Sequence, residues 1–192
     1  MGTKNDVESK ITDGFDAVLK KNSFEKTKVT DVIKVAGISH QTFYRYYVDK
    51  YDWAYKTTCA KFSAFELIYG NNATWKEIVV SIIHSIKNSP LFFKRLLSDA
   101  EGLEIINRSL LYVSEKFTGK SASEPGIAGW IRIFKRWALE GFSSSVDEIY
   151  EQIRRNVPTQ DSVPKEDLER ILTVYENRRL EFFIALREKE NN

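Results

Sequence analysis

Cysteine and histidine are nearly absent from the chain. Its 192 residues include one cysteine, Cys59, and two histidines. A single cysteine excludes an internal disulfide and a zinc cluster built on cysteines, and two histidines supply little material for any other metal site. The sequence therefore predicts no metal site and no cofactor, and the low cysteine content fits a reducing cytoplasm.

Proline, glycine and long hydrophobic runs are also scarce. Four prolines and nine glycines, beside 42% hydrophobic and 13% aromatic residues, indicate a folded protein rather than a linker or tail. No stretch approaches the roughly 18 uninterrupted apolar residues of a membrane span, and the N-terminal residues lack the apolar run of a signal peptide. We expect a cytoplasmic protein without a membrane partner.

The net charge of the chain is also small. A formal charge of +2 gives no whole-molecule field that would attract nucleic acid, so any basic surface must be local. Residues 20–50 carry such a local excess, because seven basic side chains stand there against three acidic ones. These are Lys20, Lys21, Lys26, Lys28, Lys34, Arg45 and Lys50 against Glu25, Asp31 and Asp49.

Apolar residues recur at helical spacing through nearly the whole chain, which predicts an all-α fold. Loops are indicated at 118–126 and 156–164, and a last helix is predicted from about 165 to 187. Helix starts are marked by Pro90, by Pro164, and by Ser145 three residues before Glu148. Three of the apolar strips are Val7, Ile11, Val18 and Leu19; Val29, Val32, Ile33 and Ala36; and Trp75, Ile78, Val79, Ile82, Ile83 and Ile86.

Two short helical segments flank Gly37 in residues 28–47. Glycine allows the left-handed backbone that ends a helix, and Ser39 then suits the N-cap of the next one. This second helix is too short to be stable alone, so packing must hold it. Phe43 and Tyr47, four residues apart, are the expected anchors.

If those two aromatic residues face inward, a set of hydrogen-bonding side chains faces outward. Such a face suits the DNA major groove, where Gln bridges adenine N6 and N7, Arg bridges guanine O6 and N7, and the Thr methyl group touches that of thymine. Tyrosine hydroxyls and lysine reach phosphates. The outward set is His40, Gln41, Thr42, Tyr44, Arg45 and Tyr46.

The segment VTDVIKVAGISHQTFYRYYVDKYDWAY, residues 29–55, resembles the DNA-binding domain of the tetracycline-repressor (TetR) family. The resemblance implies a three-helix helix-turn-helix DNA-binding domain at 1–50 on a helical effector-binding and dimerisation domain at 51–192. It also implies that His40, Gln41, Thr42 and Tyr44 contact the operator and that Lys50 binds phosphate. The full predicted DNA-binding set is Lys28, Thr30, Ser39, His40, Gln41, Thr42, Tyr44, Arg45, Tyr46 and Lys50.

The chain departs from the family pattern at several positions. His40 and Gln41 stand where family members often carry Lys or Arg followed by Gly or Pro, so one phosphate-binding charge is weakened and a base-reading amide is gained. Tyr47 replaces the usual Phe, and Asp49 partly offsets the charge of Lys50. We expect a different operator preference with the motif retained.

Residues 126–153 resemble the C-terminal segment of a subgroup of small TetR-type regulators. Apolar residues cover about half of the helical wheel between 127 and 142, more than a one-sided surface helix needs. Two interpretations fit this surplus: contact with a second subunit, or a central buried helix. The first gives a homodimer interface predicted at Ile127, Ile131, Phe134, Ala138, Phe182 and Leu186.

The resulting functional prediction is a homodimeric repressor that binds a double-stranded DNA operator and releases it when a small effector enters the body. An alternative is a coactivator of the same fold that works through a protein partner. An enzyme is the competing class, but the sequence has no glycine-rich phosphate loop and no nucleophile beside an obvious base. The effector pocket stays unassigned, because the aromatics that would line it also suit a core: Phe62, Phe65, Trp75, Phe92, Phe93 and Tyr112.

Overall fold

The computed structural model describes residues 4–69, 73–118 and 124–156, which form ten α-helices and contain no strand. The all-α prediction is confirmed. In chain order the helices are α1 Lys4–Leu19, α2 Val29–Ala36, α3 His40–Tyr46, α4 Lys50–Phe62, α5 Glu66–Tyr69, α6 Trp75–Asn88, α7 Pro90–Leu97, α8 Ala100–Thr118, α9 Glu124–Leu139 and α10 Val146–Asn156.

The first two helices pack closely because α1 carries a glycine at their crossing. A Cβ atom on Gly14 would lie 2.9 Å from the carbonyl oxygen of Val32, so only glycine fits without a shift of the backbone. Phe15, one residue on, is fully buried and stacks on the Trp53 ring with a centroid distance of 3.5 Å. The core of α1–α3 is therefore continuous with α4.

Helices α4 to α10 form the larger part of the described structure. Helix α4 packs against α8 and α6, α7 packs against α1, α8 and α9, and α10 packs against α6 and α9. Phe62 and Phe93 stack between α4 and α7 at 5.5 Å. Since Phe62, Phe65 and Phe93 are fully buried and Phe92 nearly so, these four of the six candidate pocket aromatics fill the core.

Helix ends follow local sequence signals. Thr74 and Glu77 form a capping box at the start of α6, and Pro90 is the first residue of α7. The predicted capping pair at α10 is confirmed, because Ser145 Oγ accepts from the Glu148 N–H at 3.2 Å while the Glu148 carboxylate accepts from the Ser145 N–H.

Three predicted segments differ from the structure or extend beyond its described part. Helix α9 begins at Glu124, inside the loop expected at 118–126. Pro125 explains the difference, since proline lacks only an N–H that the first helical turn does not need. The loop predicted at 156–164 extends beyond the last described residue, and the helix predicted at 165–187 lies wholly outside the described ranges.

No helix of the described ranges is long and apolar enough to span a bilayer.

Candidate nucleic-acid interface

The turn between α2 and α3 has the geometry expected from its sequence. Gly37 adopts a left-handed conformation with φ 63° and ψ 35°, and its N–H donates to the carbonyl of Ile33. Two residues later, Ser39 Oγ accepts from the Thr42 N–H at 3.0 Å and caps α3. The predicted helix, tight turn and helix are confirmed.

Two aromatic anchors hold α3, which has only seven residues. Phe43 is fully buried, and its ring lies 6.3 Å from Phe15 and 5.8 Å from Tyr47. Burial, together with the nearby carboxylates of Glu8 and Asp52, raises the pKa of Tyr47 to about 12, so its hydroxyl is neutral at ordinary pH. The predicted burial of both anchors is confirmed.

Four of the predicted DNA-binding side chains form one exposed row on the opposite side of α3. His40, Gln41, Tyr44 and Arg45 are all exposed, and the rings of His40 and Tyr44 stack with centroids 6.4 Å apart. The row thus offers an imidazole, an amide, a phenol and a guanidinium on about two helical turns. These are side chains that hydrogen bond to base edges and phosphates.

The remaining predicted residues near this row occupy different environments. Lys28 and Thr30 are exposed at the start of α2. Thr42 and Tyr46 are half-buried. Ser39 is exposed, but its hydroxyl contacts the amide and the hydroxyl of Thr42. Ser39 therefore orients α3.

Lys50 is half-buried at the start of α4. Its Nζ donates to the carbonyl oxygens of Phe24 at 3.0 Å and Glu25 at 2.7 Å, and it lies 4.9 Å from the centroid of the Tyr51 ring. An ammonium group has three protons, so these bonds leave one donor for a phosphate. Lys50 connects the α1–α2 loop to α4.

The turn from α3 to α4 is held by two carboxylates. Asp49 Oδ1 accepts from the Asp52 N–H at 2.8 Å, and Asp52 Oδ2 accepts from the Val48 N–H and from Lys56 Nζ, both at 2.9 Å. Partial desolvation acts to raise the pKa of Asp52, but the hydrogen bonds from Lys56 and Val48 outweigh it and hold that pKa below its ordinary value. The sequence analysis did not identify these contacts, although their spacings of three and four residues are a local signal that could have indicated them.

A second group of polar contacts joins α1 to α7. Arg95 Nε donates to the carbonyl of Leu19 at 2.9 Å, and its terminal nitrogen donates to the carbonyl of Lys20 at 3.4 Å. A cation at the C-terminus of a helix complements the partial negative charge there. The partners are more than 70 residues apart in sequence, so no local pattern indicates the pair.

The residues predicted at a dimer interface are largely internal to the protomer. Ile127, Phe134 and Ala138 are 0 to 4% exposed, and their helix α9 packs against α7, α8 and α10 of its own chain. Ile131 is half-buried. This burial agrees with the second interpretation of the strip, a central buried helix. Phe182 and Leu186 lie outside the described residues.

Comparison with solved structures supplies a structural likeness for the chain. No protein-family model matches the chain, and no curated protein matches it. A solved structure described as the dihydroxyacetone kinase operon activator DhaS is similar, with a TM-score of 0.52 and 16% sequence identity. The likeness covers 78% of this chain and 92% of that one. It shows a shared all-helical fold and agrees with the fold that the TetR resemblance implies.

Proposed function

We propose that the chain is a DNA-binding transcription regulator of TetR type and not an enzyme. Residues 1–50 form its DNA-binding domain and residues 51–192 its effector-binding and dimerisation domain. The observation that carries the proposal is the exposed polar row of α3. Ser39 caps the start of this helix, and the buried side chain of Phe43 anchors it to the core. A seven-residue helix held this firmly from one side presents its other side in a fixed orientation.

The row fits the chemistry of a major groove. Gln41 pairs with adenine N6 and N7, and Arg45 pairs with guanine O6 and N7. Tyr44 and Lys28 reach the phosphates that fix the register of the helix on DNA. The local excess of four positive charges between residues 20 and 50 supplies the sequence-independent part of the affinity.

A homodimer follows from the same proposal. One α3 reads only a few base pairs, whereas two copies related by a two-fold axis read half-sites about 34 Å apart. A small effector that prefers a dimer with a different spacing between the two helices releases the DNA, since differential affinity for two shapes shifts their populations. In this form the protein is a repressor.

A second candidate role is activation through a protein partner. The similar solved structure is itself described as an operon activator. This description supports a role in activation more than an enzymatic role. The DNA-binding surface is the same in both roles. The two roles differ in what binds to residues 51–192: a small molecule in the repressor and another protein in the activator.

In vitro selection from random duplexes, followed by fluorescence anisotropy, tests the proposal. We expect one enriched palindromic sequence and an affinity that falls about a thousandfold or more between 50 and 200 mM salt, as for proteins with six or more phosphate contacts. Absence of enrichment together with no binding at 50 mM salt would refute DNA binding. A reporter gene behind the selected sequence then separates the roles: the protein alone lowers expression if it is a repressor and leaves it unchanged if it activates only with a partner.

A further inference from the structure

The exposed row of α3 contains one side chain whose charge changes near neutral pH. The sequence has two histidines, His40 at the first position of α3 and His84 on α6. Histidine gains or loses its proton between pH 5 and 8, whereas arginine stays charged and tyrosine stays neutral over that range. In this range the charge of the row therefore depends on His40 alone.

The His40 ring is held by an aromatic contact and leaves its nitrogens free. It stacks on the Tyr44 ring with 6.4 Å between the centroids and an interplanar angle of 24°. Among the residues that the structure describes, the ring has no hydrogen-bond or ion-pair partner. Both nitrogens can therefore contact a bound molecule, and a protonated ring offers two N–H donors where a neutral ring offers one.

Charged side chains of the neighbouring helices do not pair with a protonated His40. Helix α2 packs on α3 and carries Asp31 and Lys34, which are both exposed and opposite in sign. The charged group on α3 itself is Arg45, a second cation. A positive charge at the start of a helix is also unfavourable. These surroundings give the free protein no net attraction for an additional proton on the ring.

The carboxylates of α1 and α4 act on the other side of α3. Phe15 of α1 contacts Phe43, and Lys56 of α4 lies over the Tyr47 ring, so both helices meet α3 at its buried face. Glu8 and Asp52 are among the groups that raise the pKa of Tyr47 on that face. The exposed row thus lies opposite these two acids.

A DNA duplex bound to the row supplies the missing negative charge. Duplex DNA carries one phosphate charge for about every 1.7 Å of its axis, and a nearby opposite charge favours the protonated form of histidine. A protonated ring donates a charge-assisted hydrogen bond to a phosphate oxygen. A complex that holds an additional proton gains stability as pH falls and loses it as pH rises, by linkage between proton binding and DNA binding.

We propose that His40 makes the DNA affinity of the chain depend on pH, with its protonated ring bound to a phosphate. This inference rests on the proposed function, because it assigns a regulatory property to the same surface. Affinity is highest in mild acid and falls as pH rises through the range in which histidine loses its proton. A fall in pH therefore strengthens DNA binding without any effector.

Fluorescence anisotropy with the selected duplex, at fixed ionic strength and at about pH 5.5 and pH 8, tests the inference. We expect binding to be about tenfold tighter at the lower pH, as for one added hydrogen bond to a charged group. The salt slope should be steeper there by about one unit, because one more phosphate is contacted. Binding that does not change with pH would overturn the inference alone, whereas no binding at either pH would refute the proposed function as well.

Three variants separate His40 from every other titrating group. His40→Gln stays neutral, so it should bind as weakly in acid as at pH 8, and His40→Arg stays charged, so it should bind tightly at both pH values. The matched control is His84→Gln, which removes the other histidine, exposed on α6, and should keep the pH dependence. Circular dichroism at both pH values checks that each variant is folded. An unchanged pH dependence in His40→Gln, or its loss in His84→Gln, would overturn the proposal.

Discussion

The Asp99 carboxylate joins the α1–α2 loop to the body, because its Oδ2 accepts from the Glu25 N–H at 3.0 Å. The other oxygen, Oδ1, accepts from the Gly102 N–H at 2.7 Å and caps α8. A single side chain thus caps the first turn of α8 and also accepts a hydrogen bond from the segment that precedes α2. A movement of the start of α8 would act on that loop through this hydrogen bond.

The two hydrogen bonds of the Asp99 carboxylate can be tested separately by substitution. Asp99→Asn keeps an acceptor for the cap but places an amide nitrogen opposite Glu25, whereas Asp99→Ala removes both contacts. We expect Asp99→Ala to be less stable than Asp99→Asn by about 1 kcal/mol, the usual value of an N-cap. Urea denaturation measures the difference, with Ser98→Ala as the neighbouring control. Hydrogen exchange of the Glu25 amide is faster in both variants; an unchanged rate in both would show that the bond contributes nothing in solution.

The exposed row of α3 gives a prediction about DNA affinity. Gln41→Ala should weaken binding to the selected sequence by roughly 1 to 3 kcal/mol, the value of a bidentate base contact, and relax the preference at one base pair. Stability should stay within about 0.5 kcal/mol, because surface substitutions rarely do more. Anisotropy titrations on a set of single-base variants provide the measurement, and His84→Ala, exposed on α6, is the control. If Gln41→Ala and His84→Ala bind alike, Gln41 does not contact bases.

Local parts of the candidate site follow from the sequence, and distant parts do not. Gly37 and Ser39 act on residues within four positions of themselves, so their roles are visible in the order of residues alone. The bonds of Lys50 to Phe24 and Glu25 cross 26 and 25 residues and depend on how helices pack. The apolar strip of α9 illustrates the same limit. A helical wheel shows which side chains avoid water, but it does not show which neighbour covers them.

Lys50 and Lys28 are expected to differ although both were predicted to bind DNA. Lys50→Ala removes two bonds to backbone carbonyls, so it should lower the melting temperature and weaken binding to all sequences. Lys28 is exposed, so Lys28→Ala should leave the melting temperature unchanged and reduce the salt slope of DNA binding by about one unit. Thermal denaturation and anisotropy at several salt concentrations measure both. An equal loss of stability in the two variants would contradict this difference.

The turn from α3 to α4 should respond to acid through Asp52. Its pKa is lowered in the folded state, because the hydrogen bonds from Lys56 and Val48 outweigh desolvation. A lowered pKa contributes stability above the ordinary value, and this contribution disappears as pH falls through the folded-state value. Asp52→Asn should therefore be less stable than the unaltered chain at pH 7, and the difference should shrink below about pH 3.9. Urea denaturation at both pH values tests this; a difference that is constant with pH would exclude the carboxylate charge as its cause.

The last prediction concerns helix α9 and compares its buried face with its half-buried face. Phe134 is fully buried in the protomer, so Phe134→Glu places a charge in the core and removes a large ring, and losing such a ring alone costs about 3 to 5 kcal/mol. We expect this variant to lose helical circular dichroism. Ile131 is only half-buried, so Ile131→Glu should stay folded, and if the edge of α9 meets its copy the mass from light scattering should fall to that of a monomer. Lys135→Glu, exposed on the same helix, is the control for added negative charge. A folded Ile131→Glu that remains dimeric would place the interface on other helices.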